Sequence, residues 1–257
     1  MKINYYKLDP TGNITLLVGS PVEKAVRPFV ALRLMELELD AEQVGFVEGK
    51  SLNMAGGEFC GNASLSAAAL YFRNNGIKNG KIEMTVSGAE KPVSIEIKEN
   101  PDGSYSGGVT MPVPLSVGEK EFTYGDKKVK KTVVEFPGIS HIITQEEPDK
   151  AEAERLIKLW CNELNADSLG IMFVNAEKKS LIPLVYVPAA GTVFWESSCA
   201  SGTTAAGVYF AYEKGEKIRL EFSQPGGILG VEAQPGKAPV LKGSVRIAGE
   251  GTAEISV

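Results

Sequence analysis

A chain that repeats itself at a long, constant offset is built from equivalent structural units rather than from one arbitrary globule. This chain does so. The run Lys81-Ile82-Glu83-Met84-Thr85-Val86-Ser87 reads like Lys217-Ile218-Arg219-Leu220-Glu221-Phe222-Ser223, an offset of 136 residues (81 to 217). At the same offset Ile95-Glu96 meets Val231-Glu232, and Gly107-Gly108-Val109 meets Gly243-Ser244-Val245. Upstream, CGNASLSAAALYF begins at Cys60 and CASGTTAAGVYFAY begins at Cys199. Each has a cysteine, small and hydroxyl-bearing residues, then an Ala-rich helical stretch. Two homologous lobes follow. The stretch Met111-Pro112-Val113-Pro114-Leu115-Ser116-Val117-Gly118 carries loop punctuation. It puts the split between residues 1–115 and 116–257, with the C-terminal strand free to return to the first lobe.

Each lobe combines strands with helices, an α+β composition. Alternating apolar and polar residues predict strands over 93–97 and 132–136. Asn100-Pro101-Asp102-Gly103 and Gln224-Pro225-Gly226-Gly227 are turn signals. Besides the two Cys-headed helices, periodicity predicts helices over 22–39 and 149–164, the second after the start signal at Pro148.

The net charge of −5 offers no basic surface for nucleic acid or for anionic membranes. No apolar run approaches the roughly 18 residues of a membrane helix. The segment Met1–Asp9 has no apolar core of a secretory signal, so the expected compartment is the cytoplasm, where its three cysteines stay thiols. No Cys-x-x-Cys pair exists and there is a single histidine, so no metal is expected. No lysine stands in a setting that would activate it for pyridoxal chemistry. The expected cofactor set is therefore empty, and the expected partner is a small-molecule amino acid, with a homodimer left open.

A cysteine at a helix head is suited to chemistry. The helix N-terminus favours the thiolate, and small residues behind the cysteine let a ligand approach the backbone N–H groups. Gly61 and Asn62 play that part after Cys60, and Ala200, Ser201 and Gly202 after Cys199. One cysteine from each lobe, facing a common cleft, provides a base on one face of a carbon and an acid on the other. Donors fixed at the two helix ends would stabilise the carbanion formed from an amino acid. Cys161, within LIKLWCNEL, reads instead as a small buried hydrophobe. A disulfide between Cys60 and Cys199 would be an inactive oxidised form.

The motifs Glu58-Phe59-Cys60-Gly61-Asn62-Ala63 and Cys199-Ala200-Ser201-Gly202-Thr203 resemble the two cysteine motifs of the diaminopimelate epimerase superfamily. Asp9-Pro10-Thr11-Gly12-Asn13 resembles its opening Gly-Asn segment, which implies a substrate-binding role for Asn13. The resemblance implies two pseudo-symmetric lobes, each a barrel-like mixed sheet around a central helix, with the active site in the cleft between them. It also implies cofactor-free two-cysteine racemisation. It places Gln43 in the cleft, and His141 too, since the superfamily has a Gly-Asn-Pro-His segment at that lobe start. Glu42 is a candidate for recognising a cationic or N–H-bearing side chain, and Glu196 for orienting the second cysteine helix.

One departure narrows the substrate. Where diaminopimelate epimerases carry a Glu-Arg pair before the second cysteine, this chain has Ala190 and Gly191. Glu42-Gln43-Val44-Gly45-Phe46, Gly57–Ser64, Phe194–Cys199 and Gln224–Gly227 are more similar to the histidine racemases that feed opine-type metallophore synthesis. That resemblance implies interconversion of L- and D-histidine. The alternatives are a diaminopimelate epimerase, a racemase of another amino acid such as proline, a phenazine-pathway isomerase, or a non-catalytic amino-acid-binding protein. The phenazine-pathway enzymes do not use a cysteine pair.

Overall fold

The computed structural model describes residues 1–256. The chain forms two compact units, residues 1–110 with 242–256 and residues 111–241. The first runs β1 (Lys2–Asp9), β2 (Thr15–Val18), α1 (Arg27–Leu37), β3 (Gln43–Glu48), β4 (Ser51–Met54), α2 (Gly61–Asn74), β5 (Asn79–Val86), β6 (Val93–Glu99) and β7 (Tyr105–Thr110). The second runs β8 (Ser116–Tyr124), β9 (Lys127–Phe136), β10 (Ile139–Thr144), α3 (Lys150–Leu164), β11 (Leu169–Asn175), β12 (Ser180–Val187), β13 (Thr192–Trp195), α4 (Ala200–Lys214), β14 (Ile218–Gln224) and β15 (Gly227–Ala233). The last strand, β16 (Val240–Glu254), starts in the second unit and spends most of its length in the first.

β16 lies antiparallel along β1, from Lys2↔Glu254 to Asp9↔Arg246, and its other neighbour in the first unit is β7. This closes eight strands into a mixed barrel in the order β1-β2-β3-β4-β5-β6-β7-β16. The return of residues 242–254 thus has a cause: without it β1 and β7 would each expose an unpaired edge.

The pairing pattern is the same in both units. In the first, β1/β2 is antiparallel, β2/β3 parallel, β3/β4 antiparallel, β4/β5 parallel and β5/β6 antiparallel. In the second, β9/β10, β10/β11, β11/β12, β12/β14 and β14/β15 follow the same sequence. Parallel neighbours need a crossover. The four helices supply it: α1 and α3 between the first parallel pair of each unit, α2 and α4 between the second. One detail breaks the constant offset. Lys81 pairs with Glu96, but Glu232, 136 residues beyond Glu96, pairs with Arg219 rather than Lys217. The tight turn at Pro225-Gly226, where Gln224 faces Gly227, moves the register by two residues. An even shift keeps every side chain on its original face.

α2 is buried on almost every side from Gly61 to Leu70 and packs against β2, β5, β6 and β7. α4 packs against β9, β10, β11, β14 and β15. Alanine, serine and glycine in both helices let strands approach closely on all sides. Helix α3 begins where expected: Asp149 caps it, its carboxylate accepting the Glu152 N–H at 3.2 Å. Helix α1 is shorter than the expected 22–39. Pro28 stands in its first turn, where a missing N–H is tolerated. Residues 24–26 form a 3-10 turn, and Val22 is buried in the core instead.

Candidate active site

In the first unit Cys60 is the N-cap of α2, in extended backbone conformation. Its sulfur accepts the Ala63 N–H at 3.4 Å, and Ser64 Oγ donates to its carbonyl at 2.7 Å. The Cys60 thiol donates to Gln43 Oε1 at 3.1 Å. Gln43 Nε2 in turn donates to Asn13 Oδ1 at 2.6 Å and to Thr15 Oγ1 at 2.8 Å. Asn13 Nδ2 donates to the Glu42 carboxylate. Local geometry explains the arrangement. Asp9 accepts the Gly12 N–H, turning the chain so that Asn13 points inward, and the parallel register Thr15↔Gln43 sets the two side chains beside each other. Asn62, on the first turn of α2, is buried and its Oδ1 has no hydrogen-bond partner. Such an atom is costly unless a ligand satisfies it.

The second unit carries the same cap. Cys199 is the N-cap of α4; its sulfur accepts the Gly202 N–H at 3.3 Å and lies 3.5 Å from Ser201 Oγ. Thr203 Oγ1 donates to the Cys199 carbonyl at 2.7 Å, as Ser64 does in the first unit. Gln224 ties the strand to this cap: Oε1 accepts the Cys199 N–H at 3.0 Å and Nε2 donates to Thr203 Oγ1 at 2.7 Å. Gly202 is required by space, since a Cβ there would sit 2.0 Å from Met172 Sδ and 3.2 Å from Cys199 Sγ. Burial pushes the Cys199 thiol well above its ordinary pKa, and the charge and hydrogen bond of Glu196 push the same way. The Ser201 hydroxyl and the Gly202 N–H pull back more weakly, so the surroundings of Cys199 favour its thiol form.

The sequence profile described as the Histidine racemase CntK N-terminal domain matches residues 2–254. The chain belongs to the histidine racemase family. It is an amino-acid racemase, an isomerase. A histidine racemase of Fusobacterium nucleatum is 33% identical over 236 residues, covering 88% of this chain and 87% of that one. A histidine racemase of Staphylococcus aureus is 28% identical over 271 residues and 98% of each chain. Among solved structures, a probable proline racemase from Agrobacterium radiobacter superposes with a TM-score of 0.72 at 12% identity, over 99% of this chain and 93% of that one. A hydroxyproline epimerase from Agrobacterium vitis gives 0.68 at 13% identity, over 98% and 92%. At such identities the likeness is one of fold.

In the racemase, hydrogen bonds join Asn13, Glu42, Gln43 and Cys60. Ala200, Ser201 and Gly202 form the first turn behind Cys199. His141 makes no side-chain hydrogen bond to either cysteine cap. It is fully buried on β10, edge-on to Phe136, and neither ring nitrogen has a hydrogen-bond partner. It faces Gly170 in the parallel register, where a Cβ would lie 2.3 Å from Nδ1. Burial pushes its pKa down to about 3, so the ring is neutral. Cys161 lies on the inner face of α3, in the core, donating to Ala166 O at 3.4 Å. Thr15 and Gln224 were missed as site residues. Gln224 was visible in the sequence as part of a turn signal and of a motif shared with the histidine racemases, with no role assigned to it, and Thr15 only as the second residue after Asn13. Among the described residues no group of three or more His, Cys, Asp or Glu side chains is placed to hold a metal ion, and no helix is long and apolar enough to cross a membrane.

Proposed function

We propose that this racemase interconverts L- and D-histidine without a cofactor, by proton transfer between Cys60, Cys199 and opposite faces of the substrate α-carbon. One observation carries the proposal. Two cysteines at equivalent points of a duplicated fold carry the same set of contacts: sulfur to the third N–H of a buried helix, and carbonyl to a hydroxyl one residue further on. The two units would be pseudo-symmetric lobes, each with its cysteine helix at the centre, and the substrate would bind in the cleft between them.

In one direction Cys60, once the proton it holds toward Gln43 has passed to solvent, takes the α-proton as a thiolate while the protonated Cys199 gives its own proton to the opposite face. The S–H bond formed at Cys60 and the one broken at Cys199 balance the transfer. The reverse substrate exchanges the roles. First-turn N–H groups of α2 and α4 would hold the α-carboxylate as its charge rises. Asn13, Gln43 and the orphan Oδ1 of Asn62 would meet the α-amino group. His141 would act from behind the second cap as a neutral ring. Histidine as substrate rests on the names of the relatives and on Glu42, a carboxylate suited to an imidazole N–H. Ala190 and Gly191 leave no charged pair for the distal end of diaminopimelate. The reaction would take place in the cytoplasm, where thiols stay reduced.

Proton NMR in D2O tests this, with L-histidine, L,L-diaminopimelate and other L-amino acids under reducing conditions. The expected result is loss of the α-proton signal and appearance of the D-isomer with histidine alone. Exchange with a different amino acid would keep the mechanism and discard histidine. No exchange with any of them would favour an amino-acid-binding protein.

A further inference from the structure

The strand that follows each cysteine helix ties down the cysteine cap, but by different means in the two units. In the first, the end of β5 meets the chain before Cys60 directly. Ser87 Oγ donates to the Glu58 carbonyl at 2.8 Å, and a Cβ on Gly88 would lie 2.3 Å from the Phe59 nitrogen. Gln224 is the counterpart of Gly88 at the offset of 136 residues (88 to 224). Here a side chain spans the gap. Gln224, at the end of β14 and 6% exposed, accepts the Cys199 N–H at 3.0 Å and donates to Thr203 Oγ1 at 2.7 Å. That hydroxyl donates to the Cys199 carbonyl at 2.7 Å. The three bonds close a ring through both ends of one residue. With its N–H and C=O held together, Cys199 has its φ and ψ fixed, and so the direction in which Cβ carries Sγ. The Gly226 N–H, donating to Ser197 O at 2.8 Å, holds the preceding chain to the same turn.

We propose that Gln224 is a positioning residue of the racemisation, acting on the Cys199 half of the proton transfer and not on the Cys60 half. The proposal rests on the two-cysteine reading. An amide meets both demands of this place. The Cys199 N–H needs an acceptor, and Thr203 Oγ1, whose own proton goes to the carbonyl, needs a donor. A carboxylate has no proton to give, and the Thr203 hydroxyl would turn toward it and leave the carbonyl. The leverage on the reaction is geometric. Transfer between sulfur and carbon needs Sγ in line with the α-carbon, and a displacement of about 1 Å costs on the order of 100-fold. Freeing the Cys199 backbone moves one of the two proton-carrying groups and leaves the other in place. The two enantiomers then report differently, since one loses its α-proton to Cys199 and the other receives a proton from it.

Kinetic isotope effects on kcat/KM with α-deuterated L- and D-histidine test this. Gln224→Met keeps the volume and removes both bonds. It is expected to lower kcat about 100-fold, with KM nearly unchanged. For the enantiomer whose proton Cys199 removes, that step becomes limiting and the isotope effect rises. For the enantiomer that Cys199 reprotonates, the effect falls toward the smaller equilibrium value. Thr203→Val is expected to split the two effects in the same sense by less. Thr203→Ser, which keeps the hydroxyl as Ser64 does in the first unit, is expected to match the wild type. Full turnover in Gln224→Met would overturn the proposal. So would a slowed variant whose two isotope effects change alike, the mark of a general loosening. Should Gln224→Met fail to fold, unsplit effects in Thr203→Val overturn it as well. Full turnover in Cys199→Ala would bring down the two-cysteine reading and this proposal with it. An inactive Cys199→Ala beside unsplit effects in the Gln224 variant would bring down this proposal alone.

Discussion

Burial holds the imidazole of His141 neutral, with its pKa pushed down to about 3 from an ordinary value of 6.5. The unfolded chain takes up a proton as pH falls through 6.5, and the folded chain does not until about 3. Stability is therefore lost as pH falls across that window. Between pH 7 and 5 this one group should account for about 2 kcal/mol. Urea unfolding at the two pH values measures it, and His141→Leu should remove that part of the difference. Glu38, Asp40 and Glu135 are held below the usual carboxylate range by hydrogen bonds from Lys7 and Lys120, so their contributions fade only at lower pH and leave this window clear. For catalysis, Cys60→Ala and Cys199→Ala should each lower racemisation by about 10²–10⁴-fold. Cys161→Ala should leave turnover intact and cost about 1 kcal/mol in thermal or urea unfolding. The three cysteines were separable in the sequence because two sit at one point of a repeat and the third does not. The burial of His141 was not legible, since a lone histidine beside a turn reads the same whether it is sealed or exposed.

Helix ends were the most legible parts of the fold, because capping is a dialogue between residues three apart. Pro148 marked the start of α3 in the sequence, and in the structure the next residue, Asp149, caps the helix by accepting the Glu152 N–H. Asp149→Ala should lower stability by about 1 kcal/mol, read from chemical unfolding. Cys60 and Cys199 occupy the same capping position. Gly202→Ala is the sharper test of the second cap. Its Cβ would press on buried Met172 and on the Cys199 sulfur. It should cost about 1–3 kcal/mol and slow racemisation, while Ala63 at the matching position of α2 is already the larger residue. Elements whose limits depend on packing were less legible. α1 was expected from residue 22, but Val22 leaves the helix for the core, and nothing in its spacing says so. Likewise the repeat suggested one pairing register for both hairpins, and only the tight turn at Pro225-Gly226 reveals the two-residue shift.

The barrel of the first unit is closed by chain segments nearly the whole sequence apart, Lys2 against Glu254. A chain ending at Leu241 should lose the protection of β1 and β7 in hydrogen exchange and expose those edges to aggregation. Full protection in that fragment would show that closure is dispensable. The duplicated order of elements, the cysteine-headed helices, their caps and the membership of a racemase superfamily could all be read from the sequence alone. The elements and their caps depend on composition, periodicity and spacing over a few turns of chain, or on its comparison with itself, and the membership rests on the resemblance of its cysteine motifs to those of a known family. The bond from Gln43 to Cys60, the sealing of His141 against Gly170 and the return of β16 were decided by the tertiary structure. Each is a contact between segments distant in sequence, and local residue patterns carry no information about which distant surface will cover them.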